Sequence, residues 1–221
     1  MNTIKILIKE LKSFLILWLT QSLSTLGSSM TNFALIIWSY EQHGSALITA
    51  MLSVCSYAPY VIMSIFAGAL SDKWNKKITM LISDSFAALC TVMVFVLLKT
   101  GRLEIWHLYL LNALNGLMNT VQQPASDVAI SILTPKKHYQ KVSGMRSFSN
   151  SLVSIMTPII ATALLTLTNM QVIILVYLLT FGIAFVSLLF FIKIPVIQNE
   201  NVKKESVLQS AKSGLHFLKD N

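Results

Sequence analysis

Three sets of polar residues in this chain recur at the spacing of a helix face. Gln21, Ser24, Thr25, Ser28 and Asn32 follow one another at short steps, mostly of three or four. Asn112, Asn115, Asn119 and Gln122 do the same, as do Arg146, Asn150, Ser154 and Thr157. At 3.6 residues per turn each set falls on one side of a helix. Carboxamides, hydroxyls and a guanidinium hold a solute by hydrogen bonds; they do not by themselves make or break covalent bonds. Nucleophilic catalysis needs a placed nucleophile with a base beside it. The chain has no Gly-x-Ser-x-Gly, and no histidine sits deep in an apolar run beside an acid, so no enzyme is expected. His43, His107, His138 and His216 are scattered, and Cys55 and Cys90 each lie inside an apolar run as small packing residues. No spacing suggests a metal site or a disulfide, and no cofactor is expected.

The elements that must carry these stripes are set by composition. Only 12% of the 221 residues are charged and 54% are hydrophobic. A soluble domain is about 25% charged, so this chain cannot cover itself with polar groups and faces lipid. Six runs approach the roughly 20 apolar residues that cross a bilayer. They are Phe14–Trp38, Ala46–Leu70, Ile78–Leu98, Ile105–Asp127, Ser143–Leu167 and Val172–Ile192. The first is too long for the apolar core of a signal peptide and reads as a retained helix. The net charge of +8 does not indicate nucleic acid, because the basic residues sit in short clusters between apolar runs. Lys5, Lys9 and Lys12, then Lys73, Lys76 and Lys77, then Lys136, Lys137 and Lys141, then the lysines of the C-terminal tail all fall on one side. The other side has Lys99 and Arg102. Lysine-rich loops stay in the cytoplasm, so both termini are expected there, in a multi-pass protein of the cell membrane.

Polar groups facing lipid are costly. The stripes therefore either hydrogen-bond helix to helix or line a solute path, and three stripes together favour the path. Gln21, Ser24, Ser28, Asn32, Asn112, Asn115, Asn119, Gln122, Arg146, Asn150 and Ser154 are its expected lining. The ionisable residues within the helices, Asp84, Asp127 and Arg146, are expected near the cytoplasmic ends, with both acids paired to loop lysines. Helices 2 and 5 each carry a central proline, Pro59 and Pro158, and helices 1 and 4 each a polar stripe. This pairs helices 1–3 with helices 4–6 as two inverted three-helix repeats, an arrangement common in transporters. The expected fold is an all-α membrane protein of six transmembrane helices.

Between helices 2 and 3 runs Gly68-Ala69-Leu70-Ser71-Asp72-Lys73-Trp74-Asn75-Lys76-Lys77. It resembles the signature loop of the major facilitator superfamily, Gly-x-Leu-Ala-Asp-Arg-x-Gly-Arg-Lys. Gly68, Leu70, Asp72, Lys73, Lys76 and Lys77 match, and Asn75 replaces the second glycine, with a left-handed turn expected there. The resemblance implies a gate: the acid at Asp72 contacts a helix of the other half of a complete transporter, and an acid at the cytoplasmic end of helix 4, here Asp127, joins it. Gln21-x-x-Ser24-x-x-Gly27 resembles the opening helix of macrolide-efflux-type members, and Asn112 through Gly116 to Pro124-Ala125 is similar to the family's helix 4 pattern. Asn112 stands there in place of an arginine that the family links with proton coupling. Thr157-Pro158 in helix 5 lacks the glycines of the exporters' pattern.

Leu208, Ala211, Leu215 and Leu218 share one face of a C-terminal amphipathic segment that resembles the linker between the two halves of a facilitator. The expected organisation is a cytoplasmic segment over residues 1–13, a six-helix membrane domain over 14–192 and a linker-like tail over 193–221. The resemblance implies the N-terminal half of an exporter of hydrophobic or amphipathic compounds. Its partners would be the lipid bilayer and either a separate C-terminal six-helix half or a second copy. The alternative is a truncated fragment that does not transport, or one that interferes with a full-length relative.

Overall fold

The computed structural model describes residues 10–195; of residues 65–73 it describes the helix and not the side chains. The expected C-terminal amphipathic segment lies outside the described residues. Within them the chain forms six long helices: α1 (Lys12–His43), α2 (Ala46–Lys73), α3 (Lys76–Lys99), α4 (Ile105–Leu133), α5 (Tyr139–Leu167) and α6 (Met170–Val186). A single π turn, Ser187–Phe191, continues α6. A 3₁₀ turn, Lys136–His138, leads into α5. Helix α4 runs past Asp127 because Val128 to Leu133 is apolar but for Ser131 and the acid finds a partner at its side.

The connections are short and chemically specified. Gly44 closes α1 with φ of 63° and donates its N–H to the Tyr40 carbonyl, a left-handed cap that suits glycine. Between α2 and α3 only Trp74 and Asn75 are non-helical. Asn75 does not take the left-handed conformation expected of it. Its φ and ψ are −65° and 115°, and its side chain accepts from the N–H groups of Lys77 and Ile78. An asparagine that can satisfy two otherwise orphaned amides is better used as an N-cap than as a turn residue.

Helix α2 packs along α4, α1 along α6 and α5, and α3 against α4 and α6. Two glycines permit the tightest of these approaches. A methyl group on Gly116 would lie 2.1 Å from the Ser56 carbonyl oxygen of α2. One on Gly27 would lie 2.5 Å from Thr180 Oγ1 of α6. Small residues at such crossings are the usual means by which membrane helices gain contact.

The buried core is divided. One cluster, with Met30, Leu52, Val94, Leu108 and Ile173, joins the α1–α2 and α3–α4 ends of the bundle. The other, with Phe14, Leu17, Met80, Ala129 and Leu188, joins the opposite ends. Polar side chains fill much of the layer between. The outer surface is apolar: Leu47, Val61, Ile62, Leu179 and Phe190 are all exposed. By length and composition α2 (over Ala46–Ser64), α3, α5 with its preceding turn, and α6 with its π turn are apolar enough to cross a membrane. Helices α1 and α4 have 32 and 29 residues, ample length, but their polar stripes keep even their most apolar stretches below those of the other four.

Candidate functional site: a polar cavity among six helices

The polar layer surrounds a cavity of about 580 Å³ to which every one of the six helices contributes. From α1 come Gln21, Ser24, Ser28 and Asn32; from α4, Asn112, Asn115, Asn119 and Gln122; from α5, Arg146 and Asn150. Ser154 is exposed and is not on this wall. Helix geometry explains the difference. Steps of four advance about 40° beyond a full turn, so Ser154 has rotated roughly 80° from Arg146. Val153, about 20° from Arg146 on the other side, takes the place on the wall.

Two acids stand in the wall, and the partners described for both are other than loop lysines. Asp84, nine residues into α3, accepts hydrogen bonds from Gln21 Nε2 of α1 at 3.2 Å and from Gln122 Nε2 of α4. One rise of 1.5 Å per residue places it about 12 Å along α3 from the helix start. Asp127 of α4 pairs with Arg146 of α5. Local pairing with lysine is the economical expectation when only sequence neighbours are in view. The fold instead brings Gln21 to Asp84 across 63 residues of chain, and the amides satisfy it without a lysine. Ser149 donates to Ser22 at 2.6 Å, a further tie between α5 and α1. Asn115 Oδ1 and Trp18 Nε1 are buried with no hydrogen-bond partner among the described residues.

The structure adds wall residues that the stripes did not include. Tyr57 and Tyr60 stand one turn apart on α2, Asp84 and Thr91 two turns apart on α3, and Tyr177 on α6. Their spacing, at steps of three and seven, was the available signal.

The signature segment is less of a loop than its name implies. Residues 68–73 are the last turns of α2. The side chains of Leu70, Asp72 and Lys73, and the surroundings of Gly68, lie outside the description. Lys76 opens α3, and Lys77 Nζ donates to the carbonyls of Leu189 at 2.9 Å and Ile192 at 2.7 Å. Lys77 therefore holds the carbonyl-rich end of α6, where a cation also complements the helix dipole. On the same side of the bundle Glu10 bridges Lys137 and His138, each at 2.8 Å. The Lys137 ammonium, and then His138, hold the Glu10 carboxyl below its ordinary value of 4.5. Cys90 is buried and Cys55 half-buried, both as free thiols.

Residues 17–221 match the family model described as Major Facilitator Superfamily. The chain is 25% identical over 218 residues to the uncharacterized MFS-type transporter YfiS of Bacillus subtilis, covering 97% of this chain and 51% of that one. It is 22% identical over 209 residues to macrolide efflux protein A of Streptococcus pyogenes, covering 94% and 51%. A protein of the same name from Enterococcus faecalis is 21% identical over 179 residues, 80% of this chain and 55% of that one. The chain spans about half the length of the curated relatives it matches.

Proposed function

Because the chain belongs to the Major Facilitator Superfamily, we propose that it supplies the N-terminal six-helix half of a membrane transporter that expels hydrophobic or amphipathic small molecules. The observation that carries this reading is the cavity. Its volume of about 580 Å³ lies within the roughly 300–1,000 Å³ of small-molecule sites. Amide and hydroxyl groups on its wall suit a solute with several hydrogen-bonding atoms. Similarity to macrolide efflux proteins supports export as the direction. Both termini are assigned to the cytoplasm from the lysine distribution, and impermeant labelling of cysteines at residues 42–45 in intact cells checks that assignment.

The helix pairs support two inverted repeats. Exchanging α1 with α4, α2 with α5 and α3 with α6 turns the α2–α4 contact into α5–α1, and α1–α6 into α4–α3. In folds of this kind two such bundles rock about a central site, and the wall described here would be one side of it. Asp72 and its neighbours would gate the cytoplasmic entrance, with Asp127 held nearby by Arg146.

Uptake and efflux of a dye panel and a macrolide, in a strain lacking its own exporters, test the proposal. Expression-dependent efflux is expected when the chain is joined by a C-terminal six-helix half, and Asp72→Asn should reduce it far more than Asp220→Asn. Robust efflux by this chain alone would replace the half-transporter with a working homodimer. No efflux under either condition, at verified expression, would defeat the efflux reading.

A further inference from the structure

The charge on the cavity wall does not balance. Among the described ionisable residues that line it are two carboxylates, Asp84 and Asp127, and one cation, Arg146. Arg146 is committed to Asp127. Among the described residues Asp84 receives only the amide N–H groups of Gln21 and Gln122. Those amides satisfy lone pairs but carry no charge, so the ionised Asp84 carboxylate has no counter-charge among the described residues of the wall. An ionised group at membrane depth normally has a counter-charge or marks a ligand path. Opposite charges attract far more strongly in such a bundle than in water.

We infer that Asp84 anchors a subsite for an organic ammonium, an amine cation carried on an apolar body. Two further features suit that ligand. Tyr57 and Tyr60 put aromatic rings on the same wall, and aromatic faces attract alkylammonium groups. The unpartnered Asn115 Oδ1 offers an acceptor for an N–H or a polar substituent. An inorganic cation fits less well, since the groups nearest the Asp84 carboxylate present N–H donors and not the oxygen ligands a hard metal ion requires. Gln21 and Gln122 act as positioning residues: they fix the carboxylate between α1, α3 and α4 so that it faces the cavity.

The inference rests on the reading of the cavity as a small-molecule site, and one binding experiment separates the two. The full chain in lipid nanodiscs is dialysed against benzyltrimethylammonium and against its uncharged isostere neopentylbenzene, with empty nanodiscs subtracted. The wild-type chain is expected to prefer the cation by about tenfold, a modest requirement for a buried charge contact. Asp84→Asn should bring the two affinities together, whereas Asp84→Glu and the exposed control Glu41→Gln keep the preference. Equal binding by the wild type, or a preference that survives in Asp84→Asn, would overturn the ammonium subsite and leave the cavity reading standing. Binding of neither compound would overturn both. If Asp84→Asn does not fold, Asp84→Ser serves as the neutral variant, and equal binding by the wild type overturns the subsite without either.

Discussion

Of the described glycines, Gly116 has the least room for a side chain. Even an alanine there would press its methyl into the Ser56 carbonyl oxygen at 2.1 Å, and backbone cannot swing away as a side-chain tip can. Gly116→Ala should therefore destabilise by about 1–3 kcal/mol, the usual cost of overpacking. Gly144, on α5, has open space around it, and alanine is favoured over glycine in a helix interior by about 1 kcal/mol. Thermal melts in detergent should show Gly116→Ala lowered and Gly144→Ala unchanged or raised. A second residue-scale prediction concerns the tie from Glu10 to Lys137 and His138. Its carboxyl is held below the ordinary 4.5. A depressed folded pKa means the tie is fully present above the unfolded value and is lost as pH falls through the folded one. An NMR titration of labelled Glu10 should give a midpoint below 4.5, moving upward in Lys137→Met. A midpoint at or above the ordinary value in the wild type would contradict the ion pair.

At the scale of elements, the cavity-facing stripes of α1 and α4 were legible because helical spacing fixes which residues share a face. Gln21, Asn115 and Asn119 need nothing more than a step of three or four to be grouped, and the cavity wall holds them together. The partners of Asp84 were not legible. Gln21 and Gln122 lie 63 and 38 residues from it in sequence, and helix periodicity says nothing about which faces meet. The same limit hid the role of Lys77, whose acceptors, Leu189 and Ile192, come from the far end of the chain. The role of Asn75 is ambiguous in sequence for a local reason: both a turn and an N-cap suit asparagine, and only the start of α3 at Lys76 decides between them. Removing the cation that holds the end of α6 should free its last carbonyls. Lys77→Met is expected to cost about 0.3–2 kcal/mol, the range for a cation at a helix C-terminus, and Lys77→Arg much less. Hydrogen exchange should rise at residues 187–192 in Lys77→Met with little change in α2. Exchange that rises evenly through the bundle would argue against a local restraint.

At the scale of the molecule, two apolar clusters enclose a polar layer, and the outer surface is apolar in turn. That is the reverse of a soluble protein's arrangement, in which polar groups go outward. It follows from a solvent that cannot hydrogen-bond: polar side chains must then face each other or an internal path. Helices α1 and α4 carry much of that path, which is why neither holds a stretch as apolar as those of the other four. The α4 stripe is expected to face water inside the membrane. A cysteine scan of residues 111–123, in a chain with Cys55 and Cys90 replaced and embedded in lipid, tests it most directly with a water-soluble maleimide. Labelling should peak at 112, 115, 119 and 122, the positions on the cavity wall, and fall at Ala113 and Leu117, which are absent from it. Labelling that is absent throughout, or as strong at 113 and 117 as at 115 and 119, would contradict the claim.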